Sequence, residues 1–227
     1  MIFANRTAAG QQLADRLQQY AGRADVLVLA LPRGGVPVGF EIARTLRVPL
    51  DVFLVRKLGV PDHRELAMGA IASGGIRVIN QDIVQALGIP DDAIESVATE
   101  EEEELERRQQ AYRDDRPPPD LLGKTVILVD DGLATGSTMR AAVAAVRQQT
   151  PARIVVALPV GALASVEELR DEVDEVVCLL TPEPFHAVGG WYQDFSQTTD
   201  EEIRALLDEA EEMNHESPGA GEPQPNQ

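Results

Sequence analysis

The sequence predicts an α/β fold, a parallel sheet with helices on both of its faces. Three observations carry that expectation. Short, continuously apolar runs alternate with segments of helical period, the pattern of strands buried on both sides and joined by helical crossovers. Two of those runs, Val26–Leu31 and Val126–Val129, pass straight into glycine-containing loops and then into helix starts. The chain has 227 residues, 44% of them hydrophobic, which is enough for one domain with a full core.

The elements follow in order. Thr7–Tyr20 carries Ala8, Leu13, Ala14 and Leu17 as one apolar helical stripe, closed by Gly22. Val26–Leu31 is a buried strand that ends at Pro32-Arg33-Gly34-Gly35, and a helix follows Pro37. Adjacent glycines let backbone amides turn toward an anion, and Arg33 adds charge. Pro49–Val55 reads as the next strand, ending in Arg56-Lys57 on the same edge. Gly59–Glu65, which holds His63, Arg64 and Glu65, is polar and punctuated. Leu66–Ala72 and Gly75–Ile79 flank Ser73-Gly74-Gly75 as a β-hairpin.

Asp82–Leu87 is a short helix stopped by Gly88. Asp91–Arg113 is a long helix with sparse apolar positions. Its five consecutive glutamates, Glu100–Glu104, read as a solvated face, with Glu103–Arg107 and Glu104–Arg108 spaced for i,i+4 pairing. Pro117–Pro119 is a stiff connector. Arg153–Leu158 and Glu175–Leu180 are further strands, separated by a helix over Leu163–Glu172. Phe185–Phe195 concentrates aromatics in a chain that is only 4% aromatic, and it holds the single tryptophan. Such a segment suits either stacking on a flat base or anchoring of an irregular loop to the core. Asp200–Met213 is a final amphipathic helix. The domain is expected to span residues 1–212, with 213–227, rich in Pro, Gly and Glu, as a disordered tail.

The most informative stretch is Val126–Thr138. Four apolar residues run into Asp130-Asp131, and a small, hydroxyl-rich loop follows: Gly132, Leu133, Ala134, Thr135, Gly136, Ser137, Thr138. Backbone amides at a helix N-terminus lack partners and attract phosphate, and Thr135, Ser137 and Thr138 add hydroxyl donors. Two carboxylates beside a phosphate site make sense if they face hydroxyls or a metal. A ribose 5-phosphate fits, with its ring hydroxyls on the carboxylates and its phosphate in the loop.

That stretch resembles the phosphoribosyl-diphosphate (PRPP) signature of type I phosphoribosyltransferases, and the resemblance extends over roughly residues 1–212. It implies a Rossmann-like core with a small hairpin lid and a C-terminal hood. It also implies Mg²⁺-dependent transfer of ribose 5-phosphate from PRPP to a nitrogenous base, with release of pyrophosphate, a glycosyltransferase reaction of nucleotide metabolism. Arg33, Gly34 and Gly35 match the pyrophosphate loop. Asp130, Asp131, Ala134, Thr135, Gly136, Ser137 and Thr138 match the ribose-phosphate loop. Asp130, Asp131, Arg33 and Lys57 are then the candidate catalytic residues, Asp130 and Asp131 lying near the metal without necessarily ligating it. Trp191, Tyr192 and Asp194 fall where the base-binding hood lies. Ala134 stands where 6-oxopurine enzymes carry an aspartate, and the Ala-Thr-Gly segment looks more like adenine or uracil enzymes. The Pro-Arg-Gly-Gly loop with Trp-Tyr-x-Asp-Phe most resembles a group of bacterial phosphoribosyltransferase-like proteins. A non-catalytic PRPP-sensing regulator is the alternative the motif also allows. The family is often dimeric or larger.

Composition narrows the partners. The formal net charge is −18, which argues against a nucleic-acid partner, because phosphate backbones need a basic footprint. No apolar run is long enough to cross a bilayer and the N-terminus lacks a signal-peptide pattern, so a cytoplasmic location is expected. Cys178, the only cysteine, lies in an apolar run and reads as a buried small hydrophobe.

Overall fold

A computed structural model of the chain describes residues 2–61, 63–113 and 118–216. In chain order the elements are α1 (Arg6–Asp15), β1 (Val26–Ala30), α2 (Gly35–Leu46), β2 (Leu50–Val52), β3 (Val55–Val60), β4 (His63–Ala72), β5 (Ile76–Ile79), α3 (Gln81–Leu87), α4 (Asp91–Arg113), β6 (Thr125–Val129), α5 (Ser137–Gln148), β7 (Arg153–Val160), α6 (Leu163–Arg170), β8 (Glu175–Leu180) and α7 (Asp200–Glu216). Five parallel strands form the central sheet in the order β2-β1-β6-β7-β8, and β3-β4-β5 form a separate antiparallel sheet.

The two-residue period of the strands sorts the core into two layers. Leu27, Leu29, Val126, Leu128, Ile154, Val156 and Leu158 face α5 and α6 on one side. Val26, Val28, Ile127, Val129, Val155 and Ala157 face α1 and α2 on the other. Because both sides of β1, β6 and β7 are covered, these strands read as near-continuous apolar runs. Truncating any of the fully buried leucines or isoleucines to alanine costs about 2–5 kcal/mol. The antiparallel sheet contributes Val55, Ala72, Ile76 and Val78 to the α5 side, while Leu58, Met68 and Ile71 turn toward α4 and α7. No described helix is long and apolar enough to cross a membrane.

Several boundaries differ from the sequence expectation. The first helix ends at Asp15, and a separate 3₁₀ turn, Gln18–Tyr20, follows. The second begins at Gly35, two residues before Pro37, which sits in the first turn, where its missing N–H costs nothing. The strand expected over Pro49–Val55 is really two. β2 stops at Val52, Phe53 packs into the α5-side core, Leu54 packs into the α4 side, and β3 then starts in the other sheet. Arg56 and Lys57 therefore belong to the antiparallel sheet and not to the end of a parallel strand. Gly59–Glu65 is mostly strand, with a turn at Pro61 between β3 and β4. Asp62 lies outside the described residues, as does Pro117 of the expected proline connector. At the far end α7 runs to Glu216, past Met213, while 217–227 lie outside the described residues.

Strand order reverses between β1 and β6, which pair in register from Val26↔Thr125 to Ala30↔Val129. Crevices at such reversal points are where open α/β sheets bind ligands. The loops that leave β1 and β6 at their carboxyl ends are Pro32–Gly34 and Asp130–Gly136, the two stretches the sequence singles out.

Candidate functional site

The two loops touch, and glycine is what lets them. A Cβ on Gly34 would lie 1.9 Å from Oδ2 of Asp131, and one on Gly35 would lie 2.6 Å from the Val129 carbonyl oxygen. Leu31 N–H donates to that same carbonyl at 2.8 Å, so the β1 loop is tied to the end of β6. The peptide between Pro32 and Arg33 is cis.

The second loop ends in a helix start open to anions. Gly136 caps α5 in the left-handed conformation, φ 73°, without a side-chain hydrogen bond, and the first turn holds no acidic residue. The first-turn amides are thus left for an outside acceptor. Thr135, Ser137 and Thr138 are exposed around them, with Thr135 Oγ1 3.2 Å from Ser137 Oγ. Lys57 reaches in from β3, its Nζ 3.4 Å from Ser137 Oγ. The loop backbone is pinned by Leu133 N–H to the Val160 carbonyl at 2.9 Å and by Ser165 Oγ to the Ala134 carbonyl at 2.6 Å.

The two aspartates differ in surroundings. Asp130 accepts the Asp131 N–H on Oδ1 at 2.8 Å, and its carboxyl lies against that of Asp131. Burial, reinforced by the neighbouring Asp131 charge, holds its carboxyl well above the usual carboxylate range. Asp131 is also pushed up by burial, and Arg6 opposes the shift. Arg6 Nε donates to Asp131 Oδ2 at 2.8 Å, Nη1 donates to the Ser196 carbonyl at 2.7 Å, and the guanidinium lies 4.0 Å from the Phe195 ring centroid. Sequence reasoning missed Arg6 entirely. It precedes the first apolar helical stripe, and nothing local in the sequence marks its long-range partner.

Arg33 is held on the opposite side. Its Nη2 lies 3.2 and 3.4 Å from the two carboxylate oxygens of Asp200, the first residue of α7, and Tyr112 of α4 donates to Asp200 at 2.8 Å. A cavity of about 770 Å³ opens between the loops and α4, with Pro32, Lys57 and Thr138 on its loop side. His63 is exposed at the start of β4. The side chains of Arg64 and Glu65 lie outside the described residues.

The aromatic segment divides. Tyr192 is buried, its ring 5.5 Å from Phe3 and 5.1 Å from Phe195. Its hydroxyl donates to the Asp131 carbonyl at 2.5 Å. Expected as a base-binding side chain, it packs here against Phe3 and Phe195. Trp191 is half-buried against the same small cluster. Asp194 is exposed, and its carboxylate accepts the Ser196 N–H at 2.9 Å, which holds its pKa down. The N-terminal residues complete this hood: Phe3 N–H donates to the Trp191 carbonyl, and Gln193 and Asp194 N–H donate to the carbonyls of Phe3 and Ala4.

Comparison with known proteins identifies the architecture. Residues 2–194 match the phosphoribosyl transferase domain. Two curated proteins from Mycobacterium tuberculosis, strains CDC 1551 and H37Rv, each named "Putative phosphoribosyl transferase", are 47% identical to this chain over 209 residues. The match covers 92% of this chain and 47% of each relative, so the chain spans about half the length of those proteins. The crystal structure of TT1426 from Thermus thermophilus superposes with a TM-score of 0.84 at 42% identity, covering 92% of this chain and 99% of that one.

Proposed function

The chain belongs to the phosphoribosyl transferase domain family, and on that premise we propose that it transfers ribose 5-phosphate from PRPP to a nitrogenous base, releasing pyrophosphate. The observation that carries the reading is the contact of the two loops at the β1/β6 reversal point, with the uncapped α5 N-terminus on one side and the paired aspartates between. In this reading the amides of Gly136–Thr138 and the Thr135, Ser137 and Thr138 hydroxyls bind the 5-phosphate. Asp130 and Asp131 accept from the ribose hydroxyls. Arg33, Gly34, Gly35 and Lys57 take the diphosphate.

The reaction breaks the bond from ribose C1 to the diphosphate oxygen, whose electron pair leaves with the diphosphate. The lone pair of the base nitrogen forms the new bond to C1. Positive charge grows on the ribose ring beside the two carboxylates, which stabilise it electrostatically in a partly buried site. Negative charge grows on the leaving group beside Lys57 and Arg33.

The residues present fit a Mg²⁺ ion that arrives with its substrate. Mg²⁺ characteristically takes one or two carboxylates plus phosphate and water oxygens, and the adjacent Asp130 and Asp131 carboxylates supply that kind of donor. The described residues hold no cluster of three or more protein ligands. When bound, the ion would neutralise diphosphate charge.

One observation favours a second reading, PRPP sensing without transfer. Tyr192 is spent on packing, which removes one stacking face from the expected acceptor side. Incubation with PRPP, Mg²⁺ and a panel of nucleobases, read as pyrophosphate released and nucleotide formed, separates the two. Stoichiometric product with one base supports transfer. PRPP binding with no product from any base supports the sensor.

A further inference from the structure

We propose that Arg108, on α4, is a cationic ligand for the leaving diphosphate. The inference rests on the diphosphate reading above. It concerns a helix that the sequence presents as a solvated face. The cavity of about 770 Å³ reaches from Pro32, which opens the first loop, to Thr138, in the first turn of α5. Arg56 and Lys57 line it from β3, and Arg108 lines it from α4. Three cations from two elements thus converge on the space between both anion-binding loops.

The pairing of these cations shows which are available. Arg56 is gripped by Glu101 at 2.5–2.6 Å, so its charge is already balanced. Glu100 and Glu101 also face the cavity, which raises the positive charge a polyanion needs there. Among the described residues, Lys57 has only a hydroxyl partner, Ser137. Arg108, among the described residues, shares a single carboxylate, Glu104, with Arg107, at 2.8 and 2.7 Å. The two arginines hold the Glu104 carboxyl down to about 2, Arg107 contributing first. Two cations on one carboxylate leave one positive charge over. If Arg108 turns to an anion, Arg107 still neutralises Glu104. Arg107 itself is 66% exposed and is not part of the cavity lining, whereas Arg108 is 37% exposed and belongs to it.

That arrangement supplies its own control. R107Q and R108Q remove the same charge, from adjacent positions on one helix, and the same Glu104 partner. The test is calorimetric titration of inorganic diphosphate with Mg²⁺ into the whole chain and into R107Q, R108Q, R108K and K57Q, each checked for an unchanged thermal midpoint. Arg108 as a ligand predicts that R108Q weakens binding about tenfold, R107Q by less than about twofold, and that R108K recovers part of the loss. Equal affinities for R107Q and R108Q, with K57Q impaired, would overturn the assignment while leaving the diphosphate site intact. Absence of diphosphate binding by the unmodified chain would overturn both.

Discussion

Gly34 and Asp131 approach so closely that a Cβ on the glycine would lie 1.9 Å from the carboxylate Oδ2. The obstacle is a side chain, and Arg6 holds that side chain in place. At Gly35 the obstacle is backbone, the Val129 carbonyl oxygen at 2.6 Å. G34A should therefore displace Asp131 and abolish ligand binding at a stability cost of about 1–3 kcal/mol. G35A should cost more stability than G34A, because a strand end must shift. Thermal unfolding of both variants checks the order, and a G35A protein as stable as G34A would contradict it.

Arg6 joins the N-terminal segment to the loop that follows β6. Both partners are largely buried, at 12% and 15% exposed side chain, so breaking the pair leaves a poorly solvated carboxylate. R6Q should lose about 2–4 kcal/mol of stability. In a double-mutant cycle with D131N the coupling should be at least about 1 kcal/mol. Additive losses would show that the pair carries no energy.

Asp130 has the opposite balance. Burial and the adjacent Asp131 raise its pKa, so keeping the carboxyl ionised costs the fold stability. A group whose folded pKa is raised contributes stability at low pH, and that contribution is lost as pH rises through the folded value. D130N keeps the Oδ1 acceptor for the Asp131 N–H and removes the repulsion. In metal-free buffer it should be more stable than the unmodified chain by about 0.5–2 kcal/mol at neutral pH, the gap narrowing on acidification, with loss of ligand binding. A D130N protein that is less stable at neutral pH would contradict the reading.

Much of this was legible in the sequence, for reasons that also explain what was not. The limits of α4 and β8 coincide with Asp91–Arg113 and Glu175–Leu180, because charge and apolar period are set by local neighbours. The loop pair at Arg33–Gly35 and Asp130–Thr138 was visible because glycine, hydroxyl and carboxylate chemistry is concentrated in a few consecutive residues. The break between β2 and β3 was hidden. Val52, Phe53 and Leu54 are all buried, on different sides, so an unbroken apolar run conceals a change of sheet. Arg6–Asp131 and Arg33–Asp200 span 125 and 167 residues, and no periodicity reports such pairs. The glutamate run looked purely solvated because its partners Arg56 and Arg77 lie on strands far back in the chain.

Cys178 provides a test away from the site. Burial pushes its thiol up to about 11, and its Sγ donates to the Leu180 carbonyl. At about pH 8 only about one thiol in a thousand is ionised, against roughly a quarter for a free cysteine. Alkylation of the folded protein should be slower than that of the unfolded chain by about two orders of magnitude. Equal rates would place Cys178 in solvent.

The central claim is that the loops after β1 and β6 form one PRPP site. Titration of PRPP with Mg²⁺ into the unmodified chain and into D131N tests it most directly. The account predicts saturable binding at one site per chain, lost in D131N while the thermal transition stays cooperative. No binding by the unmodified chain, or undiminished binding by D131N, would contradict it.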